Sequence, residues 1–166
     1  MTVAVLPASF DPITCGHVDI ATRASRVFPR LVVAVYAMPK KNVLFSLDER
    51  LTMVRESLAG LPHIDVMPFD GLFVDFARRI GASVEVRGLR AVSDFEYEYQ
   101  HAAANRQMLP GLEVVSLFPS TQYAFLSSSI VKEIAENGGD VSSMVPEPVA
   151  RRLRERFGSV QPAVGG

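Results

Sequence analysis

The chain has no tryptophan, a single cysteine and no apolar run long enough to span a membrane. Each shortage excludes something. One cysteine, Cys15, cannot close an intramolecular disulfide, so the fold is no cross-linked secreted scaffold, and a reducing compartment suits it. Without about 20 consecutive apolar residues, no membrane-spanning helix is expected. No charged-then-apolar leader precedes the first apolar stretch, so the expected address is the cytoplasm. Neither sign of charge is in excess: 17 Lys and Arg meet 18 Asp and Glu, for a net charge of -1. That balance argues against a nucleic-acid partner, yet local cations can still gather around a small phosphate. No repeat recurs at solenoid spacing.

What is present is a chain of 166 residues, 48% hydrophobic, enough for one domain with a real core. Val3 to Leu6, closed by Pro7, reads as a buried parallel strand. A turn-rich loop follows, and His17 then opens a helix on which Val18, Ala21, Ala24, Val27 and Phe28 recur near helical spacing. Leu31 to Ala37 is a second strand. Ser46 and Glu49 form a capping box for a helix carrying Leu47, Leu51, Val54 and Leu58 inward and stopping at Gly60. Ile64 to Pro68 is a third strand, Leu72 to Ile80 a helix closed by Gly81, and Ser83 to Arg87 a fourth strand. Ser93 and Glu96 match a second capping box, for a helix from about Asp94 to Met108, broken by Pro110 and Gly111. Glu113 to Phe118 is a fifth strand, a helix starts at Ser127 to Ser129 and ends at Asn137, and a last helix runs from about Glu147 to Phe157. Residues 1–157 are thus one domain, and 158–166 are expected to be a disordered tail.

Alternating strands and helices predict an α/β fold: a Rossmann-like, doubly wound sheet of five parallel strands with helices on both faces. In such sheets ligands bind beyond the carboxyl ends of the strands, where strand order reverses. Loop 8–17, Lys40 and Lys41, Arg87 to Arg90 and loop 119–129 all follow strand ends. They are therefore expected to line one crevice.

The chemistry there is that of phosphate. Thr14, Gly16 and His17 offer a hydroxyl, a close approach and an imidazole at a helix N-terminus, where free N–H groups and the helix dipole favour anions. Taken alone, His17 reads as a helix cap; its context turns the reading to phosphate contact with charge stabilisation. Ser9 is either a phosphate donor or a turn serine. Lys41 and Arg87 are strand-end cations suited to a second substrate's phosphate, Arg90 can reach further phosphates, and Lys40 is left to solvent. Ser127 to Ser129 supply hydroxyls and N–H groups, although one of them must cap the helix. Two phosphate sites from opposite ends of the chain point to a nucleotide polyphosphate. Cys15 reads as a small filler, because no third group orients it as a nucleophile. His63 and His101 lack metal-ligand spacing, and Phe95, Tyr97 and Tyr99 suit core or subunit packing better than base stacking. Neither a Walker loop nor a GxGxxG fingerprint is present.

Phe10-Asp11-Pro12 with Thr14-x-Gly16-His17, the segment Arg87 to Glu98, and Ser127-Ser128-Ser129 closely resemble the bacterial phosphopantetheine adenylyltransferase family. That family belongs to the nucleotidyltransferase superfamily, which shares the (H/T)xGH motif with class I aminoacyl-tRNA synthetases. The likeness spans about residues 3–157; the TxGH motif says only nucleotidyl transfer, and segment 87–98 is the specific part. The resemblance implies transfer of AMP from ATP to 4′-phosphopantetheine with Mg²⁺, giving dephospho-coenzyme A and pyrophosphate. It further implies that His17 stabilises the transition state, and that Ser9, Lys41, Phe73 and Arg87 contact phosphopantetheine. ATP would be held by Ser9, Phe10, His17, Gly88, Leu89, Arg90, Glu98, Tyr123, Ala124, Phe125, Leu126, Ser127, Ser128 and Ser129. A homohexamer inhibited by coenzyme A is implied as well. Where the family usually has Gly-Thr, this chain has Ala8-Ser9. Serine keeps the hydroxyl, whereas Ala8 removes backbone freedom and is expected to shift the loop slightly.

Two other readings compete. One is the same reaction on another phosphorylated acceptor, by an adenylyl- or cytidylyltransferase. The other is a non-catalytic nucleotide-binding module, which would have no use for His17. A synthetase fragment fits less well, since no KMSKS-like loop is present.

Overall fold

The computed structural model describes residues 1–40 and 42–158. The expectation of a disordered tail therefore falls, apart from Gly158, outside the described residues. Five parallel strands are present: β1 (Val3–Ala8), β2 (Arg30–Tyr36), β3 (Ile64–Phe69), β4 (Val84–Gly88) and β5 (Glu113–Leu117). They lie in the order β3-β2-β1-β4-β5. Six α-helices are found among the described residues: α1 (Cys15–Val27), α2 (Leu47–Ser57), α3 (Phe73–Arg79), α4 (Val92–Met108), α5 (Ser128–Glu136) and α6 (Glu147–Phe157). The chain runs outward from β1 to β3, then returns to the other side of β1 for β4. The reversal of strand order thus lies between β1 and β4, and the loops after those two strands flank it.

The strands alternate between two cores, as a two-residue period requires. Ala4, Leu6, Leu31, Val33 and Val35 pack with Ile20, Ala24, Met53, Val54, Val131, Val149 and Leu153 on the face covered by α1, α2, α5 and α6. Val3, Val5, Val32 and Ala34 pack with Val74, Phe76, Ala77 and Leu112 on the opposite face. Each such buried aliphatic side chain contributes about 1.5–3 kcal/mol. Helix α4 differs from the rest: over 17 residues it buries only Asn105.

Most element ends fall within a residue or two of expectation, and two starts differ for physical reasons. Helix α1 begins at Cys15, not His17, because the Thr14 hydroxyl accepts the His17 N–H at 3.3 Å and makes Thr14 the N-cap. Helix α4 begins at Val92, one turn position ahead of the expected serine cap. The carboxylate of Asp94 reaches back to the Ala91 N–H at 3.3 Å and the Arg90 N–H at 3.1 Å, so Ser93 lies inside the helix. A carboxylate at a helix start is favoured by the dipole in a way a neutral hydroxyl is not. The Ser46–Glu49 capping box forms as expected, with Glu49 accepting the Ser46 N–H at 2.7 Å.

Candidate active site

At the carboxyl ends of β1 and β4 a crevice of about 370 Å³ opens. Its walls come from loop 8–17, the end of β4, Glu98 of α4 and the segment ahead of α5. Ser9, Phe10, His17, Arg87, Gly88, Arg90, Glu98, Tyr123, Leu126, Ser127, Ser128 and Ser129 all line it. The topology therefore brings together most of the residues expected there. Leu89 is instead buried in the fold, Phe125 is 57% exposed, and neither they nor Ala124 line the crevice. Phe73 opens α3 just after the carboxyl end of β3, packs edge-on to Phe69 and is not among the residues lining this crevice. Lys41, expected to contact the acceptor, lies outside the described residues.

Loop 8–17 is built to hold one imidazole. The Thr14 backbone N–H donates to Nδ1 of His17 at 3.0 Å, and the Thr14 hydroxyl lies 3.1 Å from the same atom. A backbone N–H can only donate, so Nδ1 accepts and the imidazole proton sits on Nε2. The Phe10 ring meets the imidazole edge-on at 5.1 Å. Phe10 takes φ 48°, a left-handed conformation that few non-glycine residues adopt, and its ring is almost fully buried. Ala8, by contrast, is the last residue of β1, in extended backbone, so its departure from glycine strains nothing. Gly16 is helical and a Cβ there would meet only ordinary contacts at 3.5 Å and beyond. What its missing side chain leaves open is the crevice itself.

Two buried charges whose roles the sequence did not disclose, Arg50 and Asp11, fix this loop from below. Arg50, 1% exposed, donates to the carbonyls of Ser9 (2.8 Å), Tyr36 (2.7 Å), Ala37 (3.2 Å) and Phe45 (3.2 Å), joining the loop to the end of β2. Burial pulls its pKa down, and nearby Asp11 opposes that. Asp11 is fully buried; it accepts the N–H groups of Leu44 and Phe45 and pairs with Lys132 of α5 at 2.7 Å. Asp11 is thus a clamp between loop 8–17, segment 44–45 and α5.

Three hydroxyls of the site are engaged within the protein. Thr14 caps α1, Ser127 caps α5 through the Ile130 N–H at 3.1 Å, and Ser128 donates to the Pro12 carbonyl at 2.8 Å. Of these, Ser128 commits its hydroxyl proton, whereas Ser127 only accepts and keeps its O–H for an anion, beside the backbone N–H groups and the two helix dipoles. On α1, Asp19 accepts the N–H and O–H of Ser120, both at 2.9 Å, tying that helix to the loop before α5. Burial works against ionisation of Asp19, but the Ser120 hydrogen bonds and Arg23 outweigh it and hold its pKa below the ordinary value. Cys15 is half-buried, and burial raises its thiol pKa, which suits a filler better than a nucleophile.

The β4–α4 side is held by ion pairs. Arg87 donates through Nε and Nη2 to both oxygens of Glu98, at 2.7 and 2.8 Å. Burial alone would lower its pKa; Glu98 first, and then Glu85, more than offset that and raise it. Glu85 is buried, and burial pushes its pKa up against the pull of Arg87 and Asn105. Arg90 donates to the Leu126 carbonyl at 2.7 Å and approaches Asp94 at 3.4 Å, linking the start of α4 to the segment before α5.

The chain matches the model of the family described as cytidylyltransferase-like over residues 5–134. It is 51% identical over 158 residues to a phosphopantetheine adenylyltransferase of Heliobacterium modesticaldum, covering 95% of this chain and 94% of that protein. It is 50% identical to the phosphopantetheine adenylyltransferase of a Roseiflexus species, over 95% of this chain and 99% of the relative. Among solved structures, a putative nicotinate-nucleotide adenylyltransferase from Vibrio parahaemolyticus superposes with a TM-score of 0.70 at 16% identity. That match covers 96% of this chain and 98% of the other, and shows the shared fold.

Proposed function

The chain belongs to the phosphopantetheine adenylyltransferase family, and on that premise we propose that it transfers AMP from ATP to 4′-phosphopantetheine, giving dephospho-coenzyme A and pyrophosphate. The observation that carries the reading is one crevice at the strand reversal holding an imidazole with a fixed tautomer, two helix N-termini and two arginines. The acceptor phosphate is already an oxyanion, so the reaction needs no strong general base. One of its oxygens attacks the α-phosphorus in line. A new P–O bond forms as the bond to the leaving pyrophosphate breaks, and no proton has to leave the nucleophile. His17 then donates through Nε2–H to an α-phosphate oxygen as charge builds there, an electrostatic role worth about 3–4 kcal/mol. Ser9 and Arg87, with Lys41 and Phe73, would serve the acceptor. Phe10, Gly88 to Arg90, Glu98 and the segment Tyr123 to Ser129 would serve ATP, with the N-terminus of α5 beside its phosphates.

Mg²⁺ fits the donor set if it arrives with the nucleotide. Glu98 is the one carboxylate among the lining residues, and no cluster of three His, Cys, Asp or Glu among the described residues is placed to hold a metal. Mg²⁺ commonly keeps its waters and binds through substrate phosphates, whose charge it neutralises. Coenzyme A carries both a phosphopantetheine arm and an adenine nucleotide, so feedback inhibition would follow from its spanning both halves of the crevice. A homohexamer finds support in α4, which leaves Val92 91%, Phe95 56%, Tyr97 59% and Tyr99 66% exposed, a surface suited to other copies of the chain. A cytoplasmic address suits the lone free thiol, and no helix of the described residues is long and apolar enough to cross a membrane.

The test is pyrophosphate release from ATP with phosphopantetheine, pantetheine and nicotinamide mononucleotide as acceptors. Turnover with phosphopantetheine alone is expected. Turnover only with a different phosphorylated acceptor would reassign the substrate, and ATP binding without release for any acceptor would reject catalysis.

A further inference from the structure

Arg87 faces the crevice with its grip already taken. A guanidinium meets an oxyanion best through a planar pair of parallel N–H donors, and Nε with Nη2 is such a pair. Here that pair is closed by Glu98 at 2.7 and 2.8 Å. The remaining nitrogen, Nη1, donates to the Pro7 carbonyl at 3.3 Å and lies 3.7 Å from Glu85. Arg87 and Glu98 line the same crevice, so a second anion brought to this fork meets a carboxylate at contact distance. Two like charges that close, partly shielded from water, repel strongly.

We infer that Glu98 is an internal counter-anion that the acceptor's phosphate displaces from Arg87, so that Glu98 sets how tightly the acceptor is held; this rests on the reading of the chain as a phosphopantetheine adenylyltransferase. It lies beyond the contact to ATP that the family resemblance gives this residue. The two carboxylates around Arg87 are not equivalent. Glu85 is buried within β4 and is held in turn by Asn105 Nδ2 at 2.8 Å, so it stays and keeps Arg87 in place. Glu98 stands on α4, the helix that buries only Asn105, and is the partner free to yield. The exchange selects by charge. A phosphate dianion regains at Arg87 more than the monoanionic carboxylate loses, whereas an unphosphorylated pantetheine regains nothing and leaves the pair closed. Without Glu98, Arg87 would hold a phosphate more tightly.

The test is equilibrium binding by calorimetry on the full chain without ATP, which removes any contribution of Glu98 to the nucleotide. Glu98→Gln keeps the size and removes the charge. It is expected to bind phosphopantetheine about tenfold more tightly than wild type, about 1.4 kcal/mol. Inorganic phosphate should tighten in parallel, and pantetheine should not change. Unchanged or weaker phosphopantetheine binding by this variant, with native circular dichroism, would overturn the inference and leave Glu98 as a residue that merely orients Arg87. Should the variant not fold, the Arg87 Nε–H resonance of the wild-type chain decides: it shifts with phosphopantetheine and not with pantetheine, and no shift overturns the exchange. A wild-type chain that neither binds nor adenylylates phosphopantetheine would instead fail the family reading. In that event, comparing wild type with Glu98→Gln for inorganic phosphate still tests the exchange.

Discussion

The two sides of the crevice are built on different terms. The β1–α1 side is fastened by groups no substrate has to move: Thr14 backbone to His17, Arg50 to four carbonyls, Asp11 to two N–H groups and Lys132. The β4–α4 side is fastened by ion pairs on the very cations that anions seek, Arg87 with Glu98 and Arg90 with Asp94. The first arrangement pre-organises a donor for developing charge, which is where fixed dipoles do most for a rate. The second, through the exchange inferred at Arg87, governs how tightly the acceptor is held. A site that must hold a transition state and also admit an anionic acceptor divides those tasks between a rigid side and a yielding one.

That contrast is broken most strongly from beneath the rigid side. Asp11→Ala removes a fully buried carboxylate and leaves two backbone N–H groups and Lys132 without it. Breaking such a pair is expected to destabilise the fold by about 3–4 kcal/mol, read from urea unfolding; a loss below about 1 kcal/mol would show that the clamp contributes little. Next comes His17→Ala, expected to lower kcat by about a hundredfold or more, about 2.7 kcal/mol, with the fold retained. Full turnover in that variant would remove His17 from the reaction. Nitrogen NMR of wild type sharpens the same point, since the proton should reside on Nε2. Smaller again is Ser128→Ala, which loses the hydrogen bond to the Pro12 carbonyl. About 1 kcal/mol of stability and a few-fold rise in KM for ATP are expected, and an unaltered KM would separate that contact from the nucleotide site.

How much of this the sequence disclosed depends on how far apart the partners lie. The strands, the Ser46–Glu49 cap and the gathering of strand-end loops are local patterns or rules of parallel sheets, and they are legible in one pass. Many residues that line the crevice were legible too, through their place after β1, β4 and β5, and Glu98 through the family resemblance. The roles of Asp11 and Arg50 were not. Asp11 reads as a turn former beside Pro12, yet its partners Leu44 and Lys132 are 33 and 121 positions away. Arg50 sits in a polar stretch of α2 that gives no sign of burial, and it shares the inner face with Met53 and Val54. The hydroxyls of Thr14, Ser127 and Ser128 were expected at phosphates. That one of the three serines caps a helix was legible, but that it is Ser127, and that Ser128 turns to the distant Pro12 carbonyl, is visible only once the turns are folded.

An effect of similar size on stability, but lost in acid, concerns the strut between the two sides. Asp19 of α1 accepts two hydrogen bonds from Ser120 and approaches Arg23 at 3.4 Å, which places the loop leading to Tyr123 and the serine turn against the His17 helix. Burial disfavours its charged form, but those partners win and its pKa in the folded chain lies below the unfolded value of about 3.9. A carboxyl with a depressed folded pKa binds more protons when unfolded. Its stabilisation is therefore fully present above about pH 4 and is lost as pH falls through the folded value. Asp19→Asn should accordingly be less stable than wild type by about 1 kcal/mol at pH 7, with the gap closing below about pH 4 in paired unfolding curves. A gap that widened on acidification would mean that Asp19 is held in its protonated form, and that the strut works through a neutral hydrogen bond instead of a charge.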